Sequence, residues 1–296
     1  MKLIKLIPGK GSKFHFGTGK LNTTEIIFHS DSLFSAIINN YVKLFNDYPN
    51  NIPLISSVFP FSNNTLYFPK PYYQLSIGEE FGKKIKKIQF VSKEIIENFD
   101  KKIKDFEIND IFLCYKNEDK PIIRKILETK VKISKPNNIP YDIEFFEISN
   151  GGLFFLIDGE IDYKLEEAIK LIKYEGLGGE RSSGKGLFND IKIEDFNFKS
   201  GEKEDLYYSI SLISPLCDEY NYAISYNLIE RKGFIYSPFN KFTYRKNPLI
   251  MFSEGSLFSK KINGTIRRVA TQNDILKHDV FRDGRAFLLR LNKNEN

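Results

Sequence analysis

The sequence predicts an α+β protein built as two successive units, and three observations carry that reading. Period-two apolar runs are interspersed with three segments of helical periodicity across residues 1–198. A polar, charged stretch, KSGEKED at 199–205, closes the first unit, and a new alternating run follows at once. Residues 69–150 are too long for a plain connection inside a compact unit, which marks them as an insert. The expected domains are therefore 1–198, carrying an insert at about 69–150, and 206–296.

In chain order, MKLIKLIP reads as a strand. HSDSLFSAIINNYVKLFN then places Leu33, Phe34, Ile37, Ile38, Tyr41, Leu44 and Phe45 at helical spacing, with Ser30 or Asp31 as the cap. A strand is expected near Leu66 to Phe68. Within the insert, FPKPYYQ is a stiff Pro-bounded turn, and Ser92 is placed to cap a helix presenting Ile95, Ile96, Phe99, Ile103 and Phe106. RKILETKVKISKPNNIPYDIEFFEIS has two strand-like arms around Lys135–Pro140, a projecting hairpin. Its Lys130, Lys132 and Lys135, beside apolar residues at the tip, suit a wedge between bases and equally suit a solvated lysine-rich face.

GGLFFLID is a buried strand, and Asp162 to Tyr174 is a helix with Leu165, Ala168, Ile169 and Ile172 on one face, Asp162 as cap and Gly176 as stop. LFNDIKIEDFNF returns to period two. Strand, helix, insert, strand, helix, glycine-rich loop, strand is the order of the split βαβ in a ferredoxin-like or RRM-like unit, a frequent RNA platform. In the second unit, LYYSISLI and GRAFLLRL are strands, residues 219–237 form a helix or an extended arm turning at Gly233, and Asn263-Gly264 reads as a hairpin turn. No internal sequence repeat is evident.

The glycine-rich loop, GLGGERSSGKGLF at 176–188, contains G-x-x-x-x-G-K from Gly179 to Lys185. A phosphate-binding P-loop needs Ser or Thr next, where this chain has Gly186, and it must run from strand to helix. This loop runs from helix to strand, so nucleotide hydrolysis is not indicated. Glycines with Arg181, Lys185 and two hydroxyls still offer N–H groups and charge to phosphodiesters.

Composition agrees with a polyanionic partner without requiring one: 44 Lys and Arg against 38 Asp and Glu give a formal charge of +6. Cys114 and Cys217 are far apart, which indicates neither a disulfide framework nor a zinc site. The apolar start of MKLIKLIPGK is too short for a secretion signal, and no run approaches the roughly 18 apolar residues of a membrane span. The expectation is a soluble cytoplasmic protein. The histidines are His15, His29 and His278, and His29 is the one candidate for an acid or base.

FHSDSLFSAI (28–37), FPKP (68–71), YEGLGGERSSGKGLF (174–188) and SEGSLFSKKINGTI (253–266) together resemble the RAMP subunits that cap the 5′ end of crRNA in type III-A CRISPR complexes, the fourth Csm subunit, related to the Cas5 group. The resemblance spans nearly the whole chain. It implies two tandem ferredoxin-like domains, a hairpin thumb, and a non-catalytic RNA clamp without cofactor or metal. By position it implies that Gly178, Gly179, Arg181, Ser182, Ser183, Gly184 and Lys185 contact the 5′ handle, with His29 to Asp31 near the same RNA. Lys70 of FPKP and Lys132 and Lys135 of the hairpin complete the expected RNA-binding set. The implied partners are crRNA, the large Cas10-type subunit, the backbone RAMP subunit and, indirectly, target RNA, with a role in telling self from non-self. The runner-up is a metal-independent RAMP endoribonuclease acting on crRNA precursors, with His29 as acid or base beside a Lys or Arg.

Overall fold

Alternation in the first strand decides the architecture. In β1 (Lys2–Pro8), Leu3 points to one side and Ile4 and Leu6 to the other, and all three are buried, so both faces of the sheet must be covered. The computed structural model describes residues 1–73, 75, 82–99, 101, 103–133, 137–199, 206–235, 244–271 and 278–291. In it, β1 lies inside a nine-stranded sheet, between Phe188–Asp195 and Gly152–Asp158. Both pairings are antiparallel, with Ile4 opposite Ile193 on one side and Phe155 on the other. Phe59–Ser62 adds antiparallel to the far edge of Gly152–Asp158, and the sheet continues through Thr65–Pro69, Phe90–Ser92, Phe112–Tyr115 and Phe106–Asn109.

The Ile4 face is closed by α1 (Ser30–Phe45) and by the helical segments Tyr163–Lys170 and Ile172–Glu175. Leu33, Ile37 and Tyr41 of α1 meet Leu165, Ile169 and Ile172 in one core over Phe155. Asp162 caps as expected, its carboxylate accepting the Leu165 N–H at 2.7 Å, and Gly176 ends the helix. The opposite face carries Leu3, Phe68, Phe154 and Leu156, which pack with Leu206, Tyr208, Leu257 and Leu289 of the second unit. The two units thus share a core.

The second unit has a four-stranded antiparallel sheet, ordered Ala223–Ser225, Leu257–Phe258, Leu206–Ser209, Leu288–Leu291. Among the described residues no α-helix follows Glu175. Of the two alternatives for 219–237, the extended one holds over the described residues 219–235: a 3-10 turn at Glu219–Tyr222 leads into Ala223–Ser225 and Leu228–Arg231. The expected linker lies outside the described residues from position 200 to 205.

The hairpin is present, Ile122–Lys132 paired with Ile139–Ser149 through all eleven positions. Lys135 lies outside the described residues. Elsewhere in the insert, Phe90–Ser92, Phe106–Asn109 and Phe112–Tyr115 extend the main sheet.

Three local expectations are corrected. The helix after Ser92 is only Lys93–Glu97, and Phe106 begins a strand that pairs with Phe112–Tyr115. Apolar residues at three- and four-residue spacing suit one turn of helix followed by a strand as well as a long helix, and sheet pairing decides. Ser92 stands at the cap position as expected, but its hydroxyl donates to Glu118 at 2.7 Å and makes no cap bond. At α1 the cap position is His29, without a side-chain cap bond, because Ser30 and Asp31 bind the second unit. Asn263-Gly264 joins no hairpin: both N–H groups donate to the Glu219 carboxylate, and the flanking strands pair elsewhere.

Candidate nucleic-acid interface

The glycine-rich loop is built against residues 13–17. The Gly179 N–H donates to the His15 carbonyl at 2.8 Å and the Gly186 N–H to that of Lys13 at 2.8 Å. Gly178 has φ +92°, and a Cβ there would stand 2.5 Å from the His15 carbonyl oxygen. At Gly179 a Cβ would meet the His15 ring at 3.0 Å. The close approach that these two glycines allow is therefore to the protein's own chain.

The tip of the loop differs. Arg181–Ser183 form one 3-10 turn and, with Gly184, are exposed. The Ser183 hydroxyl donates back to the Glu180 carbonyl at 2.8 Å. The Arg181 guanidinium reaches the Glu175 carbonyl at 3.4 Å and its carboxylate at 4.0 Å, leaving most of its five donors uncommitted.

Both ends of the tip are anchored to the hairpin stem. Glu180 takes the Lys130 ammonium. Glu128 takes Lys13 at 2.6 Å and Lys185 at 3.6 Å. The hydrogen bond from Lys13 holds the Glu128 carboxyl below its ordinary range, and the same bond raises Lys13. Lys130 and Lys185 both sit over the Phe145 ring, at 5.6 and 5.2 Å. Lys132, two residues along the strand from Lys130, shares its face and is exposed. Loop, stem and the 13–14 strand thus form one basic surface, with three lysines against two carboxylates and Arg181 beyond them.

The start of α1 is not part of that surface. His29 is buried, its Nε2 3.0 Å from Glu25 and its Nδ1 2.9 Å from Glu254. Burial works against the imidazolium, but the charge of Glu254 and the hydrogen bonds to both carboxylates outweigh it, so His29 titrates above its ordinary value. Glu254 is held below the usual carboxylate range: burial pushes it up, and His29, with the Ser57 hydroxyl, pulls it further down. Both ring nitrogens of His29 are thus engaged by carboxylates. Ser30 accepts from the Leu212 N–H at 3.0 Å, and Asp31 binds Arg231 at 3.0 Å and also Arg282. These three residues clasp the two units together.

Lys70 lies elsewhere again. Its ammonium donates to the Ile85 carbonyl at 2.9 Å, burial lowers its pKa, and it lines a cleft of about 870 Å³ with Tyr72, Tyr226 and His29. Tyr72 closes FPKP onto SEGS, its N–H donating to Gly255 at 2.9 Å and its hydroxyl 3.1 Å from Ser253.

The sequence reading did not single out Lys13, Glu128, Glu254, Arg231 or Arg282. One signal was visible for Glu254: a lone acid flanked by small residues inside MFSEGSLF.

Residues 202–291 match the family model for the CRISPR Csm4 C-terminal domain. Over 99% of its length the chain is 34% identical to the "CRISPR system Cms protein Csm4" of Methanocaldococcus jannaschii, of which it covers 98%. The chain belongs to the Csm4 family. The Csm4 of Streptococcus thermophilus is 29% identical over 85% of this chain and 87% of its own. A solved Csm3-Csm4 subcomplex of a type III-A CRISPR-Cas interference complex is similar over 99% of this chain and 100% of that one, with 28% identity and a TM-score of 0.72. A Csm1-Csm4 cassette shares the fold, with 18% identity and a TM-score of 0.62, over 100% of this chain and 99% of that one. The resemblance of the four motifs to the fourth Csm subunit is thereby borne out. Among the described residues no cluster of His, Cys, Asp and Glu is arranged to hold a metal, and no helix is long and apolar enough to cross a membrane.

Proposed function

We propose that this Csm4-family chain acts in the cytoplasm as a non-catalytic clamp on the repeat-derived 5′ handle of crRNA. It sits between a large Cas10-type subunit, Csm1, and a backbone subunit, Csm3, and its grip lets the assembly sense whether a target also pairs with the handle. The observation that carries this reading is the exposed Arg181–Gly184 tip, fixed at both ends to a lysine-bearing hairpin stem. A rigid frame with uncommitted guanidinium donors suits single-stranded phosphodiesters, and exposed stem residues such as Lys132 extend the track. The Csm3-Csm4 and Csm1-Csm4 structures support the two protein partners. The strand order Phe188–Asp195, β1, Gly152–Asp158, Phe59–Ser62, with both helices on one face, supports a ferredoxin-like first domain. The antiparallel sheet of 206–291 supports a second, helix-poor version of it. An experimental structure with a different strand order would end the tandem reading.

The functional test is RNA binding against salt. Affinity for a handle-bearing RNA falls on a log–log plot with a slope of about −0.7 per phosphate neutralised. Arg181→Ala weakens binding more than Lys185→Ala, because Lys185 is already shared with Glu128 and Phe145. A flat salt dependence with both variants binding normally removes the loop from the site, and cleavage of a labelled repeat RNA by the purified chain would replace the clamp with a nuclease.

A further inference from the structure

Behind the glycine-rich loop lies a groove whose charged lining, among the described residues, is Lys43, Arg181 and Lys246, with no acidic side chain. Beside it Asp31 faces two guanidinium groups, Arg231 and Arg282, and among the described residues the buried Arg282 Nε has no hydrogen-bond partner. Glu25 and Glu254, the other acids acting on Arg231, are already bonded to His29. Asp283 is taken by Arg285. Arg231 also donates to the Ser32 hydroxyl at 3.0 Å, and Ser32 lines this groove of about 170 Å³ between α1, Gly176–Gly178, Arg181 and Lys246 of the second unit. Lys43 and Arg181, on the walls of this groove, share a single acid, Glu175, at 2.7 and 4.0 Å.

Lys246 is the cation left over. It is half-buried, and among the described residues its ammonium has no hydrogen-bond or ion-pair partner. Burial, and then the charge of Arg231, pull its pKa down. Charges withdrawn from water are ordinarily paired, so an unpartnered lysine beside a guanidinium calls for an anion. The groove is also smaller than the roughly 300–1,000 Å³ typical of small-molecule pockets, which fits one phosphate group better than a nucleoside.

We propose that this groove is a single-phosphate site, in which an RNA phosphodiester or a 5′-terminal phosphate is held between Lys246 of the second unit and Arg181 of the glycine-rich loop. The proposal rests on the RNA-clamp reading and deepens it, because the ligand then bridges both units. The probe is a short single-stranded RNA of the repeat-derived 5′ sequence, labelled at its 3′ end and prepared with either a 5′-hydroxyl or a 5′-phosphate. Lys246→Met in the full chain is expected to weaken binding about tenfold and to flatten the salt slope by about 0.7, the loss of one phosphate contact. Without RNA its Tm should match or exceed that of the parent, since an unpaired charge has gone. Loss of a preference for the 5′-phosphate in the variant would place the terminal phosphate in the groove, and equal losses for both RNAs would place an internal phosphodiester there. Wild-type affinity and slope in Lys246→Met, with Arg181→Ala impaired, would overturn the proposal and leave the clamp standing. If neither variant is affected, the proposal falls and the glycine-rich loop is removed from the RNA site with it. Should Lys246→Met lower the Tm, Lys246→Arg decides: restored affinity supports the site, and no restoration assigns Lys246 a structural role and overturns it.

Discussion

His29-Ser30-Asp31 at the start of α1 and Arg181-Ser182-Ser183 at the tip of the glycine-rich loop are both short polar runs that mix ionisable side chains with small hydroxyls. The structure treats them in opposite ways. At α1 the three residues are 7, 4 and 2% exposed and spend their polar atoms on Glu254, Leu212, Arg231 and Arg282. At the loop tip all three are exposed, and among the described residues Arg181 bonds to Glu175 and Ser183 to Glu180 of its own loop. A polar motif becomes a clasp or a contact surface according to whether distant segments satisfy its donors and acceptors.

The sharpest way to break this contrast is Asp31→Ala. It leaves Arg231 and Arg282 facing each other without a counter-charge, and a loss of about 3–5 kcal/mol in unfolding free energy is expected from urea titration. A loss below about 1 kcal/mol would mean that the clasp contributes little. Arg181→Ala, by contrast, should stay within about 0.5 kcal/mol of the parent while losing RNA affinity.

The loop itself divides in the same way. Gly184→Ala meets nothing within 4 Å and suffers only its φ of +76°, a cost of about 1–2 kcal/mol. Gly178→Ala adds a collision with the His15 carbonyl and should cost about twice as much or more in the same titration. Equal costs would show that the base of the loop is as free as its tip.

The smallest effect is a pH dependence confined to the clasp. The folded-state pKa of His29 lies above its ordinary 6.5, so its stabilisation is complete below that value and is lost as pH rises through the raised one. Glu254 is shifted down from 4.5, so its share is complete above that value and is lost only as pH falls through the lowered one. Between about pH 4.5 and 6.5 both contributions are full. The Tm should therefore fall as pH rises from 6.5 through the raised value of His29. His29→Gln should flatten that drop, and Arg181→Ala should retain it. An unchanged slope in His29→Gln would assign the pH dependence to other groups.

Local sequence was enough to determine β1, α1, the helix from Asp162 to its stop at Gly176, the long hairpin and the closing strand, because each is a run of clear apolar periodicity. The quoted motifs were likewise enough for the family. The helix after Ser92 was illegible past its first turn, since its apolar spacing suits either structure and the sheet edge made the choice. Only the tertiary structure decided what the motifs do. FHSD meets Leu212, Arg231, Glu254 and Arg282 from 182 to 251 positions away, and FPKP closes on SEGS from 181 positions away. Burial and charge pairing act through space, so a polar run carries no local mark of whether a distant segment will seal it, as at His29, or leave it open to a ligand, as at Arg181.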